Sequence, residues 1–562
     1  MILARLEAIT DQWAQDSVDV LLHQHIEEAR QLAGVLRLCI EKSVPLLFLS
    51  TSHDAVPRPA RPAAVHVVVF GPGKRNRPAH FPHTGAHAGS TVARSAAMPS
   101  LPAWPSTTPR RLLAALLALL VGAGAGVADA VPKPTAAAKI AQAATPDHLR
   151  YDVTLRADAD GTHWKGRQRV SFRNASDRPL HEVYLRLWGN GEDACGTPGS
   201  PSPVAVSRVR GGTAGQLSVD CTALRITLPA PLERGRRTAV SFDVSLTVPG
   251  RNNRFGREGA FRFLGNALPV LAVHDATGWH LDPYVSTGES FYTLVGDFQV
   301  TLDHPSALKV PATGHTRTSP GTPGRTLTHS VAHRVRDFAW AAGPFRTAAR
   351  TTPGGVRVRS YWAPDTPATG VRLTRRDGAA AVDRFSTEYG RYPYGELDLV
   401  MTPQFGGGME YPGLVLLGTA EEGSAVVHEV AHQWWYGIVG NDQYRAPWLD
   451  ESFAQYANAR FYGWDTRDCW DPGEWPDENA ALTSSMAYWA EHRGAYHLIY
   501  TAGPCALADL ERTLGTATMA SLLKRYARDH WYGISTTADF KKTAQSMTDK
   551  DLASFWKTHR IR

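Results

Sequence analysis

Two histidines four residues apart, His428 and His432, with Glu429 directly after the first, stand in "VVHEVAHQWW" at residues 426–435. On an α-helix that spacing is one turn plus roughly 40°, leaving the imidazoles about 6 Å apart. Both can then face one divalent cation while Glu429 approaches the same cleft. A catalytic zinc takes three protein ligands and keeps a fourth position for water. The third candidate is Glu451 in "PWLDESFAQYA", nineteen positions beyond His432. A continuous helix would carry it roughly 28 Å away. Gly437, Gly440, Asn441 and Asp442 interrupt that helix, and Pro447 suits the opening of a second one that folds back. Taken singly, the pair reads as helix-surface histidines and Glu451 as a surface charge; their common spacing points to a metal site.

The stretch "HEVAHQWWYGIVGNDQYRAPWLDESFA" resembles the gluzincin metallopeptidases of the M1 aminopeptidase group, whose zinc motif is HExxH, eighteen residues, then Glu. The resemblance implies that His428, His432 and Glu451 bind one Zn2+ per chain and that Glu429 is the general base. A second part of it is "GGGMEYPG", similar to the group's GxMEN element, with Gly407, Gly408, Met409 and Glu410 in the matching positions. Glycines there let an extended peptide approach the backbone as an added strand, and Glu410 would pair with a substrate's free α-ammonium group. A third part is "YTAGPCALADLE", similar to the segment with a catalytic tyrosine followed by xxG. It implies that Tyr500 donates to the oxyanion; Tyr496 is the rival on the same stretch, but only Tyr500 has Gly503 in register.

The implied activity is that of a zinc-dependent aminopeptidase, hydrolysing N-terminal peptide bonds with a metal-activated water and a glutamate base. The chain departs from the group at Tyr411, which stands where GxMEN has Asn, and at Ala502, where Lys is common. No second residue for holding the amine is evident. An endopeptidase with no strict need for a free N-terminus is therefore the nearest alternative. A catalytically inactive peptide-binding protein on a peptidase fold is the alternative from another class.

Elements to carry these residues follow from the patterning. Between about Leu149 and Ala348, runs such as "RYDVTLRAD", "GRQRVSFRN" and "FYTLVGDFQVTL" alternate with period two and are separated by Gly, Pro, Asn and Asp clusters. They predict antiparallel strands in a sandwich or saddle. After the turn-rich "ARTTPGGVRV" the spacing becomes helical, with one short strand, "ELDLVMTP", ahead of the glycines at 406–408. The expected fold is thus α+β and multidomain: a β domain at 140–350, then a mainly helical catalytic domain with a small sheet at 355–562, thermolysin-like by the resemblance. No fixed-period repeat is apparent, which argues against a solenoid or propeller.

An export signal is expected inside the chain. Pro109, Arg110 and Arg111 precede an apolar run, Leu112 to Val127, that closes on Ala128, Asp129 and Ala130. Residues 98–130 read as a signal peptide cleaved near Ala130, and 1–97 as a largely disordered, non-native extension, rich from residue 54 onward in Pro, Gly, Arg and His. The run is too short for a stable membrane span. A secreted product would keep Cys195, Cys221, Cys469 and Cys505, an even number that permits disulfides Cys195–Cys221 and Cys469–Cys505. Basic and acidic residues are interspersed, so nucleic acid is not an expected partner and peptides are.

Overall fold

The computed structural model describes residues 146–192, 202–464 and 475–562. All of them fall in one unit that runs from Val127 to Arg562. The expected signal peptide and extension lie outside the described residues. So do Cys195 and Cys469, while Cys221 and Cys505 are buried.

Period-two patterning produces the first layer. In Asp147–Ala157, Leu149, Tyr151, Val153, Leu155 and Ala157 are buried while Arg150, Thr154 and Arg156 face solvent. This strand lies central in a seven-stranded sheet, parallel to Gly296–Pro305 on one side and antiparallel to His163–Arg173 on the other. A four-stranded sheet contains Val270–Leu271, Leu180–Arg186, Ala223–Leu232 and Thr213–Ser218 in that order. Leu155, Val170 and Phe242 from the larger sheet share one apolar core with Val183, Leu185 and Ile226 from the smaller. That is the sandwich arrangement the alternation predicts, with sheet faces closed on each other.

The second layer is a five-stranded sheet ordered Arg346–Thr351, Arg357–Trp362, Glu396–Thr402, Leu414–Gly418, Gly408–Met409. It starts earlier than the sequence suggests, because the turn-rich "TTPGG" at 351–355 joins two antiparallel strands rather than two domains. All seven residues of Glu396–Thr402 are buried, as expected of a strand covered on both faces. On one face Leu397, Leu399 and Met401 enter the helical core. On the other, Val400, Leu414 and Leu416 pack with Phe263, Phe405 and Tyr411, so the β layer backs the sheet that carries the glycine segment.

Helices supply the rest: α1 (Ala368–Tyr389), α2 (Val426–Ala431), α3 (Trp448–Tyr462), α4 (Met486–Glu491), α5 (Ala502–Leu514), α6 (Thr516–Asp529), α7 (Thr537–Gln545) and α8 (Ala553–Thr558). Helix α5 begins two residues before Pro504, so the proline sits inside the first turn, where its missing N–H costs nothing. Among the described residues no helix is long and apolar enough to cross a membrane.

Candidate active site

The histidine helix is short because its sequence ends it. After α2 the backbone tightens into three-residue bonds, Gln433 N–H to Val430 O and Trp434 N–H to Ala431 O. The chain then reverses at Tyr436, whose φ is +133°, and Gly437. Pro447 precedes α3 and Glu451 lies in its first turn. The predicted fold-back therefore occurs, and Trp435, Phe453 and Trp448 pack ring against ring to hold the two helices together.

That packing brings three ligand-type atoms to one point. Glu451 Oε2 lies 3.2 Å from His428 Nε2 and 3.3 Å from His432 Nε2, and the two Nε2 atoms are 3.0 Å apart. The opposite ring nitrogens are engaged: His432 Nδ1 donates to the Trp435 carbonyl and His428 Nδ1 faces Gln455 Oε1, both at 3.0 Å. With Nδ1 carrying the proton, each Nε2 presents a lone pair. Two lone pairs and a carboxylate oxygen converging in a buried place repel one another unless a cation lies among them, so this donor set fits a divalent metal.

Around this point lies a cleft of about 640 Å³, lined by Glu289, Gly406 to Glu410, Glu429, Asn458, Tyr462, Trp464 and Tyr500 as well as the three ligand candidates. Glu429 is buried, and burial together with Glu410 and Glu451 raises its pKa well above the usual carboxylate range. It rests on the glycine segment: a Cβ at Gly408 would stand 2.3 Å from Glu429 Oε1. The glycine is therefore required by the general-base candidate as well as by any peptide laid beside it. Among the described residues Gly408–Met409 is an edge strand, paired only with Leu416–Leu417, so its other side offers backbone groups to an extended chain. Tyr500 stands 6.0 Å from His428 between ring centroids, and burial and the Glu451 charge push its hydroxyl pKa well up. Its rival Tyr496 is turned toward Gly288, where a Cβ would lie 2.2 Å from the Tyr496 hydroxyl.

The xxG after Tyr500 has a physical reason. A Cβ on Gly503 would fall 1.9 Å from Ser452 Oγ, and that hydroxyl already donates to the Ile499 carbonyl at 2.7 Å. Helix α5 thus touches α3 at the residue next to Glu451, which fixes Tyr500 relative to the ligand candidates. Tyr411, in the place of Asn, points away from the cleft, and its hydroxyl donates to Asn266 Oδ1 at 2.7 Å. Asn266 in turn bonds the buried Asp337.

Three functional candidates escape sequence reasoning. Gln433 bonds the Glu410 and Tyr411 carbonyls through Nε2 and accepts from Gly413 N–H and the Tyr392 hydroxyl through Oε1, tying the glutamate segment to the histidine turn. Gln455 lies four residues beyond Glu451, a helical step that could have revealed it. Glu289 is buried in the cleft, with Arg254 Nη2 2.7 Å from its carboxylate; burial and the neighbouring Glu451 and Glu410 raise its pKa well above the ordinary range. As a lone Glu in the turn-like "STGES", it carries no sequence signal. Glu289, Glu410, Glu429 and Glu451 crowd four carboxyl groups into one cleft, and a cation placed among them would favour their ionised forms.

Comparison with known proteins agrees with this arrangement. Residues 379–559 match the Peptidase family M1 domain. A glutamyl aminopeptidase of Bitis rhinoceros is 25% identical over 245 residues, covering 38% of this chain and 26% of that protein. Human aminopeptidase B is 36% identical over 80 residues, covering 13% of this chain and 12% of its own. The matched segments thus span about a quarter or less of these curated relatives. The M1 zinc metallopeptidase from Deinococcus radiodurans has the same fold, with a TM-score of 0.57 at 18% identity over 74% of this chain and 93% of its own. The family match lies on the segment that carries the site, so residues 379–559 form a peptidase family M1 domain, and the likeness of fold extends over both halves.

Proposed function

We propose that this chain is an exported, zinc-dependent aminopeptidase. The observation that carries the reading is the convergence of His428 Nε2, His432 Nε2 and Glu451 Oε2 beside Glu429, in a cleft closed on one side by the free edge at Gly408–Met409. His428, His432 and Glu451 would hold the zinc. When bound, the metal supplies Lewis acidity to a substrate carbonyl and lowers the pKa of its water towards about 7. The chain's own groups do the rest. An extended peptide lies along Gly407 and Gly408, receiving main-chain hydrogen bonds. Glu410 and Glu289 meet its α-ammonium group, Glu289 being the second amine-holding group that the sequence leaves unassigned. Glu429 takes the proton of the attacking water and returns it to the leaving amine. Tyr500 donates to the oxygen on which negative charge develops.

Support for a peptide substrate comes also from the Deinococcus radiodurans fold neighbour, of which a mutant form is bound to a Tyr-Ser-Ala substrate. The decisive assay compares matched free and N-acetylated peptides. The free peptides should be cleaved at least tenfold faster, whereas equal rates would remove Glu410 and Glu289 from their roles and make the protein an endopeptidase. In the same assay Tyr500→Phe should lose roughly 100- to 1,000-fold in kcat with zinc retained; an unchanged kcat would clear Tyr500 of its role.

Export and the disulfides Cys195–Cys221 and Cys469–Cys505 belong to the same proposal, supported by the signal-like sequence before Val131 and by the burial of Cys221 and Cys505. Non-reducing mass spectrometry of protein from the medium should find a start near Val131 and both bridges. Recovery of Met1 or of four free thiols would overturn this part.

A further inference from the structure

Few large apolar side chains are left exposed among the described residues, and two of them sit together in the cleft. Tyr462 and Trp464 are 42% and 52% exposed and both line the space that also holds His428, Glu429 and Glu451. Their rings stack at 5.6 Å and 17°. The pair has a rigid base. Tyr462 packs edge-on against Phe461, 5.1 Å away, and Phe461 stands 6.3 Å from Phe385 of the helical core. The Tyr462 hydroxyl donates to Asp377 Oδ2 at 3.3 Å. Gly463, with φ +69°, ends α3 in the left-handed conformation, and Trp464 N–H closes onto the Ala459 carbonyl at 3.0 Å. This left-handed cap turns the chain back so that the indole lies over the phenol.

Between the metal-ligand candidates and this platform, Gln455, Asn458 and Ser424 line the same cleft, so it is polar along its length and aromatic at its end. Exposed stacked rings beside a polar channel are an unusual use of surface unless something apolar covers them. The channel already has an occupant in the reading given above, an extended peptide with its N-terminus at Glu410. From Glu451 to Tyr462 the helix rises at most about 16 Å, and aromatic side chains on helices lean back towards the N-terminus. An extended peptide advances about 3.3 Å per residue. The platform is therefore reached by about the fourth to sixth residue.

We propose that Tyr462 and Trp464 form a distal subsite for an aromatic or large apolar side chain near the fifth residue of the peptide. The enzyme then selects substrates by length and by this remote side chain as well as by the amino terminus. This rests on the peptidase reading, which supplies the peptide's direction.

The test uses zinc-loaded Glu429→Gln protein, which should bind peptides without cleaving them. Two hexapeptides that differ only in carrying Phe or Ala at position five are titrated against it. Aromatic pairing should make the Phe peptide roughly three- to tenfold tighter. Adding Trp464→Ala should bring the ratio to one, and adding Trp464→Phe should restore most of it; Tyr462→Ala serves if Trp464→Ala lowers the melting temperature. A ratio of one before any change at 464, or a ratio that survives both alanine variants, overturns the subsite. Cleavage of an aminoacyl reporter by the unaltered enzyme is read separately: its absence would count against the peptidase reading, while the binding ratio would still decide on the subsite.

Discussion

At the residue scale the site is a set of groups whose neighbours decide their state. Asp337 shows this away from the metal-ligand candidates. It is buried, accepts from Phe338 N–H and bonds Asn266, which receives the Tyr411 hydroxyl. Burial pushes its pKa up to about 7, with Glu410 adding to the rise and the Phe338 N–H and Arg254 opposing it. Its folded pKa thus exceeds the unfolded value near 3.9. The folded state binds the extra proton between about pH 4 and 7, so the group's contribution to stability declines as pH rises through that window. The whole decline is on the order of 4 kcal/mol. Asp337→Asn mimics the protonated acid and should flatten the loss of melting temperature between pH 5 and 8; parallel pH profiles for variant and wild type would disprove this. The residues that recur at fixed intervals in one segment, His428, Glu429, His432 and Glu451, were legible in the sequence. Glu289 was not, because it comes from the β layer, far away in the chain, and one glutamate in a turn resembles any surface charge. Tyr411 looked like a defect in the glycine segment. It is directed into the β layer instead, where Gly265 leaves room for it: a Cβ there would stand 2.0 Å from its hydroxyl.

At the element scale, the placing of Glu451 and Tyr500 depends on three short pieces meeting closely: the turn after α2, the start of α3 and the start of α5. Helix starts and stops were readable from Gly, Asn, Asp and Pro, so the fold-back of α3 could be foreseen. The contact between α3 and α5 could not, since no period in the sequence says which faces touch. Gly503 records that contact. Gly503→Ala would set a methyl group 1.9 Å from Ser452 Oγ, and α5 must move. A cost of roughly 1–3 kcal/mol is expected, with faster loss of zinc on dialysis because Glu451 is adjacent. Gly494→Ala, where nothing lies within 4 Å, is the control. Equal stability and zinc retention in both variants would mean that the α3–α5 contact does not hold the site. The five-stranded sheet was also only half visible. Glu396–Thr402 was legible as a short strand, but its outer hairpin, Arg346–Trp362, was divided between the two expected domains because the turn between its strands is rich in Gly and Pro.

At the scale of the whole molecule, a β layer and a helical layer are joined across the small apolar core that contains Phe263, Phe405, Val400 and Tyr411. The cleft takes Glu289 from the first layer and the ligand candidates from the second, so neither half holds the full set of charges alone. Four buried carboxyl groups face one space, Glu289 beside Arg254, and a divalent metal and a substrate ammonium would be the further cations that favour their ionised forms. The most direct test is zinc content measured together with hydrolysis of an aminoacyl reporter, on wild type and Glu429→Gln. Both proteins should hold zinc, and only the wild type should turn over, with the variant slower by roughly 100- to 10,000-fold and a chelator abolishing the wild-type rate. Zinc-free wild type that hydrolyses the reporter, or a Glu429→Gln variant as active as wild type, would contradict the account.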